Sequence, residues 1–324
     1  MANSTFHFGD MFASSRDVVG RTLVEVGNRN KNAIVMTADL ARTNQVLGFK
    51  EEYPDRFFNI GIAEQNLLGI AAGLALDGKM PFVLTFATFA SMRACEQLRT
   101  DICYQNLNVR IIGGNAGLTT CAGATHYAQE DIAILRSFSN LTIVTPGDPN
   151  MFEKVLFNTL EYNGPVYIRM AQGKGEPIVY QNKDIEYRIG KAVVCKEGKD
   201  ITLIACGVML SHAIKAAEKM EEFGIKVRVI DMHTIKPIDK EIIINSAKDT
   251  KNIITIEDHY IIGGLGTAVA EVLAESGISC KFRRLGIPQV YAGFGSANEL
   301  YKKYGYDENA IVRHIKDMLK EVGD

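Results

Sequence analysis

Apolar runs of strand length alternate along the chain with stretches whose apolar positions recur every three to four residues. NAIVMTADL (32–40), MPFVLTFA (80–87), LNVRIIGG (107–114), LTIVTPG (141–147) and GPVYIRM (164–170) read as strands, and helical spacing fills 12–29, 62–76, 89–105 and 148–162. This alternation predicts parallel strands joined by crossover helices. A polar stretch, AQGKGEPIVYQNKDIEYRIG (171–190), then breaks the rhythm with Gly173, Gly175 and Pro177. A second series follows: ITLIACG (201–207), a helix over 210–223, KVRVIDM (226–232), NIITIED (252–258), a helix over 266–276 and CKFRRLGI (280–287). The expected fold class is α/β: two doubly wound domains in series, over 10–175 and 191–324, with 176–190 as the linker and a mostly parallel sheet in the second.

At 324 residues, 47% hydrophobic and 23% charged, the chain is able to bury large cores. A net charge of −2 without a basic run argues against nucleic acid. The longest apolar stretches, such as ITLIACGVML (201–210), are too short for a bilayer, so no membrane partner is expected. MANSTFHFGD lacks the features of a signal peptide. Six cysteines without a CxxC fall mainly in apolar segments, as expected for buried, reduced thiols in a cytoplasmic protein.

The six histidines are dispersed without metal-ligand spacing, so no metal is expected on this chain alone. No GxSxG elbow and no P-loop occur. GGLGTAVAE (263–271) opens like a dinucleotide loop, but Val269 stands where the third glycine belongs, which favours a tight strand-to-helix turn. Four other stretches carry more. NIGIAEQNLLGIAAGLAL (59–76) places Glu64 at the start of an apolar helix, where an acid either complements the helix dipole or does chemistry. Gly69 and Gly73, four apart, leave a stripe on which another helix can pack closely. TADLARTN (37–44) ends a strand with Asp39 and Leu40 and then offers Thr43, at the kind of strand end where α/β folds bind ligands. FATFASMRACEQLR (86–99) sets Phe86 and Phe89 a turn apart, as core or as a flat wall for a heteroaromatic ring. GATHYAQEDIAILR (123–136) holds His126 in a loop, where histidines more often do chemistry than in cores.

Taken in order, SSRDVVGRTL, GIAEQN, the ATF helix, ATH with EDIAILR, TPGDPNM and DHYIIGGLGTAVAE resemble the C-terminal half of a transketolase, over nearly the whole chain. Transketolases and deoxyxylulose-phosphate synthases share a diphosphate-binding domain, a pyrimidine-binding domain and a small C-terminal domain. The GDG-to-Asn motif of the first does not occur here, so the chain resembles the separate C-terminal subunit of a split bacterial transketolase. The resemblance implies thiamine diphosphate as coenzyme, with Mg²⁺ or Ca²⁺ held by an N-terminal partner subunit. It also implies self-association through the pyrimidine domain, giving two copies of each chain, and sugar phosphates as substrates.

It implies roles as well. Glu64 matches the glutamate that shares a proton with N1′ of the aminopyrimidine; an apolar site, which favours the protonated form of a carboxyl group, suits that task. Phe86 and Phe89 match the wall against that ring, Asp39 and Leu40 match cofactor-proximal residues, and His126 matches the histidine near the 4′-amino group. Arg16, Thr43 and Arg169 match residues that hold the acceptor phosphate. Two positions depart: Asn115 replaces a histidine, and Ala122 replaces the aspartate that reads a hydroxyl beside the reacting acceptor carbon. A phosphorylated acceptor without the usual 2-hydroxy aldehyde is therefore expected, such as dihydroxyacetone phosphate in a pathway degrading apulose 4-phosphate. The alternatives are a 2-oxo acid dehydrogenase β subunit, a split deoxyxylulose-phosphate synthase, and a non-catalytic scaffold subunit.

Overall fold

The computed structural model describes residues 12–171, 175–181 and 186–320. Two sheets form the frame. The first has seven strands in the order Thr234–Lys236, Thr142–Val144, Val166–Arg169, Arg110–Gly114, Met80–Phe86, Ala33–Thr37 and Phe57–Asn59. All pair in parallel except Thr234–Lys236, which runs antiparallel to Thr142–Val144. The second has five strands in the order Lys281–Ile287, Asn252–Tyr260, Ile201–Ala205, Val227–Asp231 and Val193–Lys196, the last antiparallel. Strands buried on both faces read as continuous apolar runs, and Ala33–Thr37 and Ile201–Ala205 are buried at every position.

Helices start where the sequence offers caps. Ser14 accepts from the Asp17 amide at 3.1 Å to begin Ser15–Arg29, and Asp148 accepts from the Met151 amide at 2.9 Å to begin Pro149–Asn158. The single helix expected over 89–105 is instead two π-helical segments, Phe89–Arg93 and Leu98–Cys103, around a short α turn. The first widened turn, closed by Ala94 N donating to Phe89 O at 3.1 Å, sets the Arg93 guanidinium 3.9 Å over the Phe89 ring.

Between the sheets the chain is pinned. Glu176–Pro177 pairs with Phe12–Ala13, and the Asp148 carboxylate accepts from the Val179 and Tyr180 amides at 2.8 and 2.7 Å. Thr234–Lys236, from the second half of the chain, completes the first sheet, so the two units share an edge. The helices Lys240–Thr250, Ala297–Tyr304 and Glu308–Lys320 go beyond what the sequence pattern predicts. The cysteines correct one expectation: Cys103, Cys195 and Cys206 are buried, but Cys121 is exposed and Cys95 and Cys280 are half-buried. Among the described residues no helix is long and apolar enough to cross a membrane.

Candidate active site

The connection after Ala33–Thr37 leads to Phe57–Asn59 on one side, and the next leads to Met80–Phe86 on the other. A parallel sheet leaves a crevice at the carboxyl ends of its strands where successive connections diverge in this way. Glu64 enters it as the first residue of Glu64–Leu76 and is 2% exposed. Its carboxylate accepts from Thr85 Oγ1 at 3.3 Å and pairs with Arg93 Nη1 at 2.7 Å. The environment is thus not purely apolar, as the sequence suggested. A guanidinium pairs with the acid, and its side chain is 44% exposed and stacked on Phe89.

Phe86, Phe89 and His126 are all half-buried, so the phenylalanines are not core. Their centroids lie 5.8 Å apart, and the imidazole meets them edge-on at 6.0 and 5.4 Å, making a three-ring wall in the same crevice. His126 Nδ1 lies 3.0 Å from Thr125 Oγ1. Asp39, at φ +59°, is exposed at the strand end and doubly tied to Asn59: its amide donates to Asn59 Oδ1, and its carboxylate accepts from Asn59 Nδ2, both at 2.9 Å. Leu40 follows, its amide donating to Thr37 Oγ1 at 3.2 Å.

Arg16 is buried in the first turn of its helix, and its Nη2 donates to Asn115 Oδ1 at 2.6 Å. Its Nε is buried without a partner, as are both polar atoms of the Asn44 amide. Buried polar atoms are nearly always satisfied, so these orphans stand out, and Asn44 follows half-buried Thr43 in sequence. Sequence reasoning offered the amide of Asn44 within TADLARTN but missed Asn59 and Arg93, which only the fold brings to Asp39 and Glu64.

Arg169, which the resemblance also assigns to the phosphate, is engaged within the chain. Its guanidinium is buried between the domains: Nε and Nη2 donate to Asp131 at 2.8 and 3.1 Å, and Nη2 also to the carbonyls of Ala128 and Asp258 at 3.0 and 2.9 Å. The Asp131 carboxylate pushes the Arg169 pKa up, and Tyr167 donates to the same carboxylate at 2.8 Å. A group so engaged is not free for a phosphate.

GGLG is a structural turn. Glu257, with its pKa raised to about 7 by burial, accepts from the Leu265 and Gly266 amides at 2.7 and 2.8 Å and so fills the helix N-terminus that a phosphate would need. A Cβ on Gly264 would fall 1.9 Å from Glu257 Oε2.

The family model of the transketolase pyrimidine-binding domain matches residues 13–176, and that of the transketolase C-terminal domain matches 190–311. The chain belongs to the transketolase family. It is 43% identical to a putative transketolase C-terminal section of Methanocaldococcus jannaschii, over 96% of this chain and 98% of that one. It is 39% identical to a subunit of the apulose-4-phosphate transketolase of Phocaeicola vulgatus, over 93% and 96%. Among solved structures, a split-gene transketolase described as an inactive β4 tetramer superposes with a TM-score of 0.87 at 41% identity, covering 96% of this chain and 99% of that one.

Transketolases use thiamine diphosphate with a divalent metal. The residues present fit the pyrimidine half: a buried carboxylate with an exposed partner faces a wall of three rings. Among the described residues no group of three or more His, Cys, Asp or Glu could hold a metal ion.

Proposed function

We propose that this chain is the pyrimidine-side subunit of a two-chain transketolase of the cytoplasm. It would move a two-carbon ketol unit between sugar phosphates, as two copies of each chain. The observation that carries this is Glu64, buried at the strand-order reversal beside Phe86, Phe89 and His126. Relatives of matching length are named as a C-terminal section and as one subunit of a transketolase, and a similar chain forms an inactive tetramer. These support dependence on a diphosphate-binding partner.

Thiamine diphosphate, when bound, supplies the carbon that carries the ketol unit. Glu64, freed from Arg93, would share a proton with N1′ of the aminopyrimidine. Phe86 and Phe89 would hold the ring, and His126 would offer a polar group towards its amino substituent. Asp39 and Leu40 would line the coenzyme side. The Gly69/Gly73 stripe, with nothing within 4 Å of a built Cβ at either position, supports packing between pyrimidine domains.

Arg16 and Thr43 hold the acceptor phosphate, and Asn44 joins them. Ala122 cannot read an acceptor hydroxyl, and Asn115 is occupied by Arg16, which supports a phosphorylated ketone acceptor such as dihydroxyacetone phosphate. The Phocaeicola relative supports a specialised pathway of the apulose 4-phosphate type. The test is reconstitution with an N-terminal transketolase subunit, coenzyme and Mg²⁺. Ketol transfer should appear only in the mixture, with higher kcat/KM for dihydroxyacetone phosphate than for ribose 5-phosphate or erythrose 4-phosphate. Transfer by the chain alone overturns the two-chain reading, and preference for the aldoses overturns the acceptor assignment.

A further inference from the structure

We propose that the C-terminal domain positions His126, with Asp258 as the central positioning residue of a clasp on the loop 115–130. The inference rests on the reading that His126 faces the coenzyme. It starts from two features the mechanism leaves unused: the EDHY segment (257–260) and the buried Arg169.

The loop is closed at its neck, where Gly117 and Ala128 exchange backbone hydrogen bonds of 3.0 and 3.3 Å. Just beyond the neck, the Leu118 amide donates to both oxygens of Asp258, at 3.2 and 3.0 Å, across 140 residues of sequence. Tyr301 and Tyr306 donate their hydroxyls to the same carboxylate at 2.9 and 3.1 Å, fixing its orientation. The approach is so close that a Cβ on Gly117, at φ +63°, would fall 2.0 Å from Asp258 Oδ2. Arg169 ties the neck carbonyl of Ala128 to the Asp258 carbonyl from beneath.

The far side of the loop is held too. A Cβ on Gly123 would lie 2.5 Å from the Phe294 ring, and the Tyr127 hydroxyl donates to the Gly293 carbonyl at 3.2 Å. The Tyr260 amide donates to the Gln129 carbonyl at 2.7 Å, and His259 Nε2 accepts from the Ala133 amide at 3.2 Å. His126 therefore sits between anchored neighbours, its amide donating to the Gly123 carbonyl at 2.9 Å, while its ring stays half-exposed against Phe86 and Phe89. Asp258 acts only through the backbone that carries the imidazole.

The test compares Asp258→Ala, Tyr306→Phe, His126→Ala and the Asp258→Ala/His126→Ala double variant. In the chain alone, amide hydrogen exchange over 117–128 should quicken in Asp258→Ala, and less in Tyr306→Phe, while Glu64–Leu76 stays protected. In the complex with its partner, Asp258→Ala should lower kcat by up to about 10²-fold, the cost of a 1 Å misplacement, with KM little changed. It should add nothing to His126→Ala. Unchanged loop exchange, or losses that multiply in the double variant, overturns the proposal. Should Asp258→Ala fail to fold, Tyr306→Phe and its double with His126→Ala decide in the same way. Hydrogen exchange in the chain alone uses no coenzyme, so failure of the clasp is separable from failure of the thiamine reading, which Glu64→Gln probes.

Discussion

The two sheets are built alike, yet their carboxyl ends serve opposite purposes. In the first sheet Glu64, Phe86, Phe89 and His126 gather near the strand ends, with the three rings half-buried. In the second, three acids stand at the corresponding ends, and each is turned inward. Asp231 accepts from the Tyr180 hydroxyl at 2.6 Å, Glu257 accepts from the first amides of the helix Leu265–Ser276, and Asp258 grips the neighbouring domain. An acid at the carboxyl edge of a parallel sheet thus stays open to a ligand where its partner is an exposed side chain, as Arg93 is for Glu64. Where tyrosines and amides reach it first, the same geometry becomes a fastening.

The sharpest way to break this contrast is Glu64→Gln in the reconstituted complex. An amide cannot share a proton as the acid does, so exchange of the coenzyme C2 hydrogen for deuterium should slow by roughly 10²–10⁴-fold. Near-normal exchange would place Glu64 with the structural acids. Next comes Arg169→Met, which strands Asp131 in the interior. Breaking one partner of a buried pair costs about 3–5 kcal/mol, so denaturant unfolding should show a loss of that size. A variant of normal stability with an acceptor KM raised for phosphorylated substrates alone would restore the phosphate role.

Gly264→Ala should cost about 1–3 kcal/mol, since its methyl group would collide with Glu257 Oε2, and the thermal midpoint should fall with no direct effect on the first sheet's site. The smallest effect concerns Asp231, which faces Tyr180, Asp148 and Cys195. Burial raises its pKa from 3.8 to about 8; the Tyr180 hydrogen bond opposes the rise and Asp148 adds to it. The folded state keeps a proton that the unfolded chain releases, so this group's contribution to stability is full below pH 3.8 and is lost as pH rises through about 8. Asp231→Asn cannot ionise. Its thermal midpoint relative to the unaltered chain should therefore be higher at pH 8 than at pH 5, and an unchanged difference would contradict the assignment.

Much of this was legible from the sequence because it depends on local pattern. The nine strand runs reappear where the pattern puts them, since side-chain alternation and burial are written into neighbouring residues. Glu64, the two phenylalanines and His126 could be singled out because motif spacing fixes which residue stands at a helix start or in a loop. The antiparallel edge strands Val193–Lys196 and Thr234–Lys236 could not be, because short strands acquire their identity from the partner they meet.

Tertiary structure alone decided what each charge does. Nothing near Glu64 in sequence announces Arg93, which lies 29 residues on and is aimed by a π-helical turn. Arg169 ends a strand and reads as a phosphate ligand until Asp131 and the Asp258 carbonyl are found around it. Asp258 reads as the end of a strand until Leu118, 140 residues away, is found donating to it. The sequence by itself determined the nine strand runs, the helical stretches its periodicity marks and the chemical groups near their ends. Whether a group faces a ligand or another part of the chain depends on contacts between residues far apart in sequence, and only folding brings those together.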